Sequence, residues 1–349
     1  MKTNSGNFFE DFKLGQTLQH ATPRTLSDGD RALYTALYGS RFVLQSSDGF
    51  AQICGYPESP LDDLLVFHTV FGKSVPDISL NAVANLGYAE GRFLKPVYAG
   101  SSLSAVSEVI GLKENSNRET GVVYVRTQGF DEKGEAVLSY VRWVMVRKRD
   151  KTAPVGEAQV PKLASAVDAK ALVAPPDAEF DGFDCAQSGS PHLWDDYAVG
   201  EKIDHVDGMT VEEAEHMLAT RLYQNTARVH FNQFAEGKGR FGRRLIYGGH
   251  VISLGRALSF NGLANAVSIA AINGGRHVNP LFAGDTVFAW SEVLDRQPVR
   301  GRKDIGALRL RLVATKNLPC AEFPDKNAEG QYPENIILDF DYWAFAPRR

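Results

Sequence analysis

Two stretches of the chain, 67–86 and 249–266, are apolar nearly all round at helical spacing, the second carrying Val251, Leu254, Leu258 and Leu263 near a 3.6-residue period. Helices with so thin a polar face are buried, which predicts that each is wrapped by sheet rather than laid on a surface. Behind each stretch come three runs rich in β-branched and aromatic residues. They are 103–113, 121–129 and 136–147 in the first half, and 286–294, 305–315 and 336–345 in the second. The turn-rich Asp131-Glu132-Lys133-Gly134-Glu135 joins two of them as antiparallel neighbours. The expected fold class is α+β, with two curled antiparallel sheets that each grip a long helix.

The order of elements repeats because the sequence does. Phe9-Glu10-Asp11-Phe12-Lys13-Leu14-Gly15 matches Trp194-Asp195-Asp196-Tyr197-Ala198-Val199-Gly200, and Leu37-Tyr38 matches Leu222-Tyr223, both 185 positions apart. Gly91-Arg92 and Ala99-Gly100 match Gly275-Arg276 and Ala283-Gly284 at 184, a slip that one deletion explains. Between the halves, 151–190 carries Pro154, Pro161, Pro175 and Pro176 with no sustained apolar period, and is expected to be a linker over the surface. The expected domains are 1–150 and 191–349.

Composition narrows the function classes. With 349 residues each half is long enough to bury a core, and a net charge of −4 offers no footprint for nucleic acid or an anionic membrane. Cys54, Cys185 and Cys320 are odd in number, scattered and outside any metal-ligand spacing, so neither disulfides nor a metal site is expected, and a reducing cytoplasm fits. No stretch approaches the ~18 apolar residues of a membrane-spanning helix.

Candidate chemistry concentrates in the second half. Asn225 and His230 stand five residues apart in Leu222-Tyr223-Gln224-Asn225-Thr226-Ala227-Arg228-Val229-His230-Phe231-Asn232, ahead of a glycine-rich helix start, Tyr247-Gly248-Gly249-His250. An imidazole carries protons near neutral pH, and a helix start offers free N–H groups to a developing anion. In the first half Ser40 and Gln45 occupy the matching positions, so that half reads as a site that has been lost.

These motifs, with Phe8-Phe9-Glu10-Asp11-Phe12-Lys13-Leu14-Gly15-Gln16-Thr17, Leu65-Val66-Phe67-His68, Gly242-Arg243-Arg244-Leu245-Ile246 and Leu258-Ser259-Phe260-Asn261-Gly262-Leu263-Ala264-Asn265, span both halves. On them the chain resembles the MaoC-like enoyl-CoA hydratases, in the form with two fused hotdog domains. The resemblance implies a hydro-lyase that reversibly adds water to a 2-enoyl-CoA, here a methyl-branched dicarboxylic one, with coenzyme A entering only as part of the substrate and no other cofactor. The family pattern Asp-x-Asn-Pro-x-His reads Asn225-Thr226-Ala227-Arg228-Val229-His230 in this chain. His230 matches, whereas Asn225 replaces the carboxylate and cannot accept a proton as an Asp does.

The roles implied are His230 as general base, Asn225 orienting the water, and Gly249 with its neighbour His250 presenting N–H donors to the thioester oxygen. A dicarboxylic substrate calls for a cation, for which Arg228 and Arg276 are the candidates. Arg240, Arg243 and Arg244 form a basic loop suited to coenzyme A phosphates. Each has an ordinary alternative: His230 and His68 as hydrogen-bonded structural histidines, Asn225 and Gly248-Gly249 as turn residues, the arginines as solvated charge. A hotdog thioesterase and a decayed acyl-CoA-binding module are the rival functions, and a homodimer is possible.

Overall fold

The computed structural model describes residues 2–349. Its strands form one antiparallel sheet in two matching halves. The first half comprises β1 (Thr17–Thr25), β2 (Ala82–Phe93), β3 (Ser102–Glu114), β4 (Thr120–Phe130) and β5 (Ala136–Arg147). The second comprises β6 (Lys202–Asp204), β7 (Met209–Thr210), β8 (Ser268–His277), β9 (Thr286–Pro298), β10 (Ile305–Lys316) and β11 (Ile336–Pro347). Their order is β1-β3-β4-β5-β2-β8-β11-β10-β9-β6, with β7 beside β9, so β2 and β8 close the seam through Tyr88 opposite Gly275 and Gly91 opposite Ile272.

Four helices matter for the site: α1 (Asp28–Tyr38), α2 (Asp63–Ser74), α3 (Glu213–Leu222) and α4 (Gly248–Leu258). Helix α2 packs on β1, β3 and β4, and α4 on β9, β10 and β11. Eleven of the twelve residues of α2 are buried, as its missing polar face requires. Repeat mates meet between the halves: Tyr38 and Tyr223 share a hydroxyl hydrogen bond of 2.8 Å, and His68 Nε2 lies 3.2 Å from Ser253 Oγ, each pair 185 residues apart. A residue can touch its own mate only at the axis relating the two halves. Away from it, His20 and His205 are mates that each set Nε2 against a serine of a neighbouring strand, Ser107 at 2.7 Å and Ser291 at 2.8 Å.

Several expectations need correction. The first helix starts at Asp63, gives way to a π-helical turn at Val75–Ser79, and residues 82–86 are strand. Pro76 has no N–H to continue the ladder. The second stops at Leu258, and the short Phe260–Leu263 turn after it is broken by non-helical backbone at Asn261 and by Gly262 at φ 102°. Strands β1, β2 and β8 went unforeseen, as did the short β6 and β7. Half of β2 and of β8 is Ala, Asn and Gly, residues of weak strand preference whose place is set by pairing partners. The 151–190 segment runs mostly exposed over the surface but is pinned to the sheet at a few points. Val167 and Phe180 are buried against Trp343 and Phe345, Trp343 Nε1 donates to the Val167 carbonyl at 3.0 Å, and Val167 N donates to Asn273 Oδ1 at 2.8 Å.

Candidate active site

A cavity of about 610 Å³ opens between the start of α4 and the π turn that follows α2. The second half contributes Asn225, Arg228, His230, Tyr247, Gly248 and His277 to its wall; the first half contributes Phe71, Ser79, Tyr88 and Arg142.

After α3 the chain turns at Gln224, which takes a positive φ of 52°, and runs to a single turn of 3-10 helix, Arg228–His230. Asn225 is buried, and its Oδ1 accepts from the Ala227 N–H at 3.0 Å. Because that partner is a donor, the facing atom must be the oxygen, so Nδ2 is left to aim its two protons at the cavity. Asn225 is here a donor, and its amide oxygen, engaged by Ala227, cannot take up a water proton as a carboxylate would.

His230 is fixed in the complementary way. Its Nδ1 lies 3.1 Å from the Leu245 carbonyl, which can only accept, so Nδ1 carries the proton and Nε2 presents a lone pair. Burial pushes its pKa down to about 4, partly opposed by that hydrogen bond, so the ring is a neutral base at ordinary pH. His216 braces both walls: its Nδ1 accepts from the Tyr247 N–H at 3.3 Å and its Nε2–H donates to the His230 carbonyl. The Tyr247 ring stands 5.3 Å from the His230 ring.

Helix α4 opens without a side-chain cap, and the Gly248 and Gly249 N–H groups have no acceptor among the described residues. A Cβ on Gly248 would come within 2.4 Å of the His277 ring, and one on Gly249 within 2.4 Å of the Tyr247 ring and 2.6 Å of His68. Glycine is therefore needed at both for the backbone to approach this closely. His250 does not take the expected place. Its N–H already donates to the Tyr247 carbonyl at 2.9 Å, and its ring turns into the core with Nδ1 3.2 Å from the Tyr38 hydroxyl. Gly248 and Val251, one turn apart, face the cavity instead, as the helical period demands.

Of the expected cations, Arg228 lies exposed on the cavity wall, while Arg276 is exposed on β8 and outside it. Neighbours on a strand alternate faces, so the inward residue is His277, whose Nε2 lies 3.2 Å from the Tyr88 hydroxyl. Arg244 pairs with Glu213, and Arg243 stacks 4.0 Å over Phe282. His277, Tyr88 and Arg142 escaped the sequence reading. His277 adjoins the flagged Arg276, whereas only the β2–β8 seam brings in Tyr88, and only the packing of β5 against the π turn brings in Arg142. The matching place in the first half is nearly closed, at about 10 Å³. There Asp62 caps α2 by accepting the Leu64 N–H at 2.9 Å, Asp63 accepts the Ile269 N–H at 2.7 Å, and Gln45 donates to the Val267 carbonyl.

A family model described as mesaconyl-CoA hydratase matches residues 2–319. The chain belongs to the mesaconyl-CoA hydratase family. Among curated relatives it is 63% identical over 348 residues to the β-methylmalyl-CoA dehydratase of Chloroflexus aurantiacus, covering 100% of this chain and 99% of that protein. It is 62% identical to the mesaconyl-CoA hydratase of Cereibacter sphaeroides, with both covered in full. A solved MaoC domain protein dehydratase from Chloroflexus aurantiacus superposes with a TM-score of 0.98 at 63% identity, covering 100% of this chain and 99% of that one. A double-hotdog protein from Mycobacterium tuberculosis superposes at 0.75 with 25% identity over 99% of both chains. The architecture of this mesaconyl-CoA hydratase family member is the double hotdog, with one open site and one closed.

Proposed function

We propose that this chain is a hydro-lyase that reversibly adds water to mesaconyl-CoA, giving β-methylmalyl-CoA, and that the cavity at the start of α4 is where it does so. The observation that carries the site is the tautomer of His230: a neutral imidazole with its free Nε2 on the cavity. Nε2 takes a proton from water as the oxygen bonds to the β-carbon, the double-bond electrons move toward the thioester oxygen, and the Gly248 and Gly249 N–H groups receive that charge. A donor of this kind is worth about 3 kcal/mol of transition-state stabilisation.

Since Asn225 cannot carry a proton, the imidazolium itself returns one to the α-carbon, which closes the cycle with one base. Asn225 Nδ2–H holds the water or the thioester oxygen in line. Coenzyme A is part of the substrate, its phosphates meeting the exposed Arg240 and Arg243 near the cavity mouth, and no metal or redox group enters the scheme.

The test is loss of the conjugated enoyl absorbance of mesaconyl-CoA, with free thiol assayed in parallel. Loss without thiol, abolished in His230→Gln, is expected. Thiol release would mean attack on the thioester carbonyl, and silence in both channels would leave a binding protein.

A further inference from the structure

Arg142 is a cation without a counter-charge. It is 0% exposed, yet no carboxylate lies within 4.0 Å of it among the described residues. Its guanidinium sits 4.2 Å over the Phe71 ring and donates from Nη2 to Ser74 Oγ at 2.8 Å, with Ser79 at 3.4 Å. Nε has no partner at all. A buried ion without a partner is destabilising by several kcal/mol, so such a group persists where something else brings the opposite charge. It lines the same cavity as His230, Asn225 and Gly248.

The closed first-half site holds the answer in its own side chains. Ser259 is the repeat mate of Ser74, and a second buried arginine, Arg256, donates to it at 3.2 Å. Arg256 too has no carboxylate within 4.0 Å among the described residues, but Asp62 and Asp63 at the start of α2 lie near enough for its charge to oppose the upward push of burial on their carboxyls. The mates of those two aspartates in the open site are Tyr247 and Gly248, which carry no charge. Where the closed site sets two acidic residues, the open one has neither, and its unanswered arginine stands in the cavity wall.

We infer that Arg142, delivered from the first half by β5, binds the distal carboxylate of the substrate and so selects a dicarboxylic enoyl thioester. The inference rests on the hydratase reading above, but concerns only which acyl groups are accepted. In mesaconyl-CoA that carboxylate is attached to the β-carbon that water attacks, so the guanidinium also fixes this carbon against His230. The fork of N–H donors pairs with both carboxylate oxygens, and the dry wall around it makes that pair selective.

The comparison substrate is (E)-2-methylcrotonyl-CoA, which carries a methyl where mesaconyl-CoA has the carboxylate. Wild type, Arg142→Gln and Arg142→Lys are assayed on both, with thermal melts of each ligand-free protein. Wild type should prefer mesaconyl-CoA by at least on the order of 100-fold; Arg142→Gln should lose roughly 100-fold or more in kcat/KM on it and stay within about threefold on the methyl analogue. Arg142→Lys should regain part of the loss on mesaconyl-CoA alone, and the glutamine variant should melt no lower than wild type. Equal losses on both substrates would overturn the inference, as would an unchanged rate on mesaconyl-CoA. So would a glutamine variant that fails to fold, because an uncompensated cation is not what a core needs. A wild type that hydrates neither thioester would instead sink the hydratase reading.

Discussion

Moving from about pH 7.5 to about pH 5.5 should strip roughly 6 kcal/mol from the folded chain, through its buried and half-buried histidines. Burial is the first cause that lowers His68, His205, His216, His230, His250 and His277, to about 3, 4, 3, 4, 3 and 4. The unfolded chain titrates them near 6.5. With the folded value below the unfolded one, their stabilisation is complete above about 6.5 and is lost as pH falls toward the folded values. Each is worth ~1.3 kcal/mol between those two pH values, about 8 for the six. Asp63 acts the other way. Burial lifts its carboxyl to about 7, so the folded state gains a proton there that the unfolded state does not, returning about 2 kcal/mol. The net, about 6 kcal/mol, is a large share of an ordinary domain's 5–15. Urea melts across this range, with two-state behaviour checked by two probes, give stability against pH, and the slope near pH 5.5 counts the protons taken up on unfolding. Between four and five, about 4.5, are expected. A flat profile, or fewer than one proton, would refute the claim that these imidazoles are held neutral by burial.

Other outcomes follow from the site. Activity should show no acid limb from His230 above about pH 5, since its pKa is held near 4; a kinetic pKa near 6.5 that vanishes in His230→Gln would contradict this. Asn225→Asp restores the broader family's residue yet removes a donor and adds charge beside His230, so kcat/KM should fall at least about tenfold; a faster variant would refute the donor role. Gly248→Ala drives a methyl into the His277 ring and should lower kcat by on the order of 100-fold at a stability cost of about 1–3 kcal/mol, with crystal or NMR data showing His277 displaced. One proton carrier on one side of the double bond predicts addition of hydrogen and hydroxyl to the same face, giving the erythro diastereomer; NMR of the product would expose a threo one.

The duplication was legible because mates stay in order over the whole chain, and it placed the open site in the second half before any geometry. Helix positions were legible in outline because α2 and α4 are apolar on every side. Their ends were not: composition does not say where Pro76 or Gly262 breaks a turn, since the residues beyond are as apolar as those before. The seam strands β2 and β8 were hidden for a related reason. A stretch such as Ile272-Asn273-Gly274-Gly275 has little preference of its own and becomes strand because another strand lies on each side. Asn225, His230 and Gly248 are local in sequence and line one cavity, whereas Gly249 lies outside its lining. Arg276 and His250 went astray by one face each, since adjacency in sequence does not fix which side of a strand or helix a residue presents. Arg142 was out of reach altogether, being 83 residues before Asn225 and in the half that looked inactive.

The start of α2 carries two aspartates, and the start of α4 carries Tyr247 and Gly248. In a pair of identical subunits this difference could not exist, because each substitution is made in both copies at once: an acid that stoppers one mouth would stopper the other. Joining the copies into one polypeptide lifts that constraint. One mouth can then evolve toward stiffness while its sister evolves toward chemistry, and the idle half becomes free to lend a guanidinium across the seam. The same linkage forbids dissection, since neither half expressed alone would contain a whole reaction chamber.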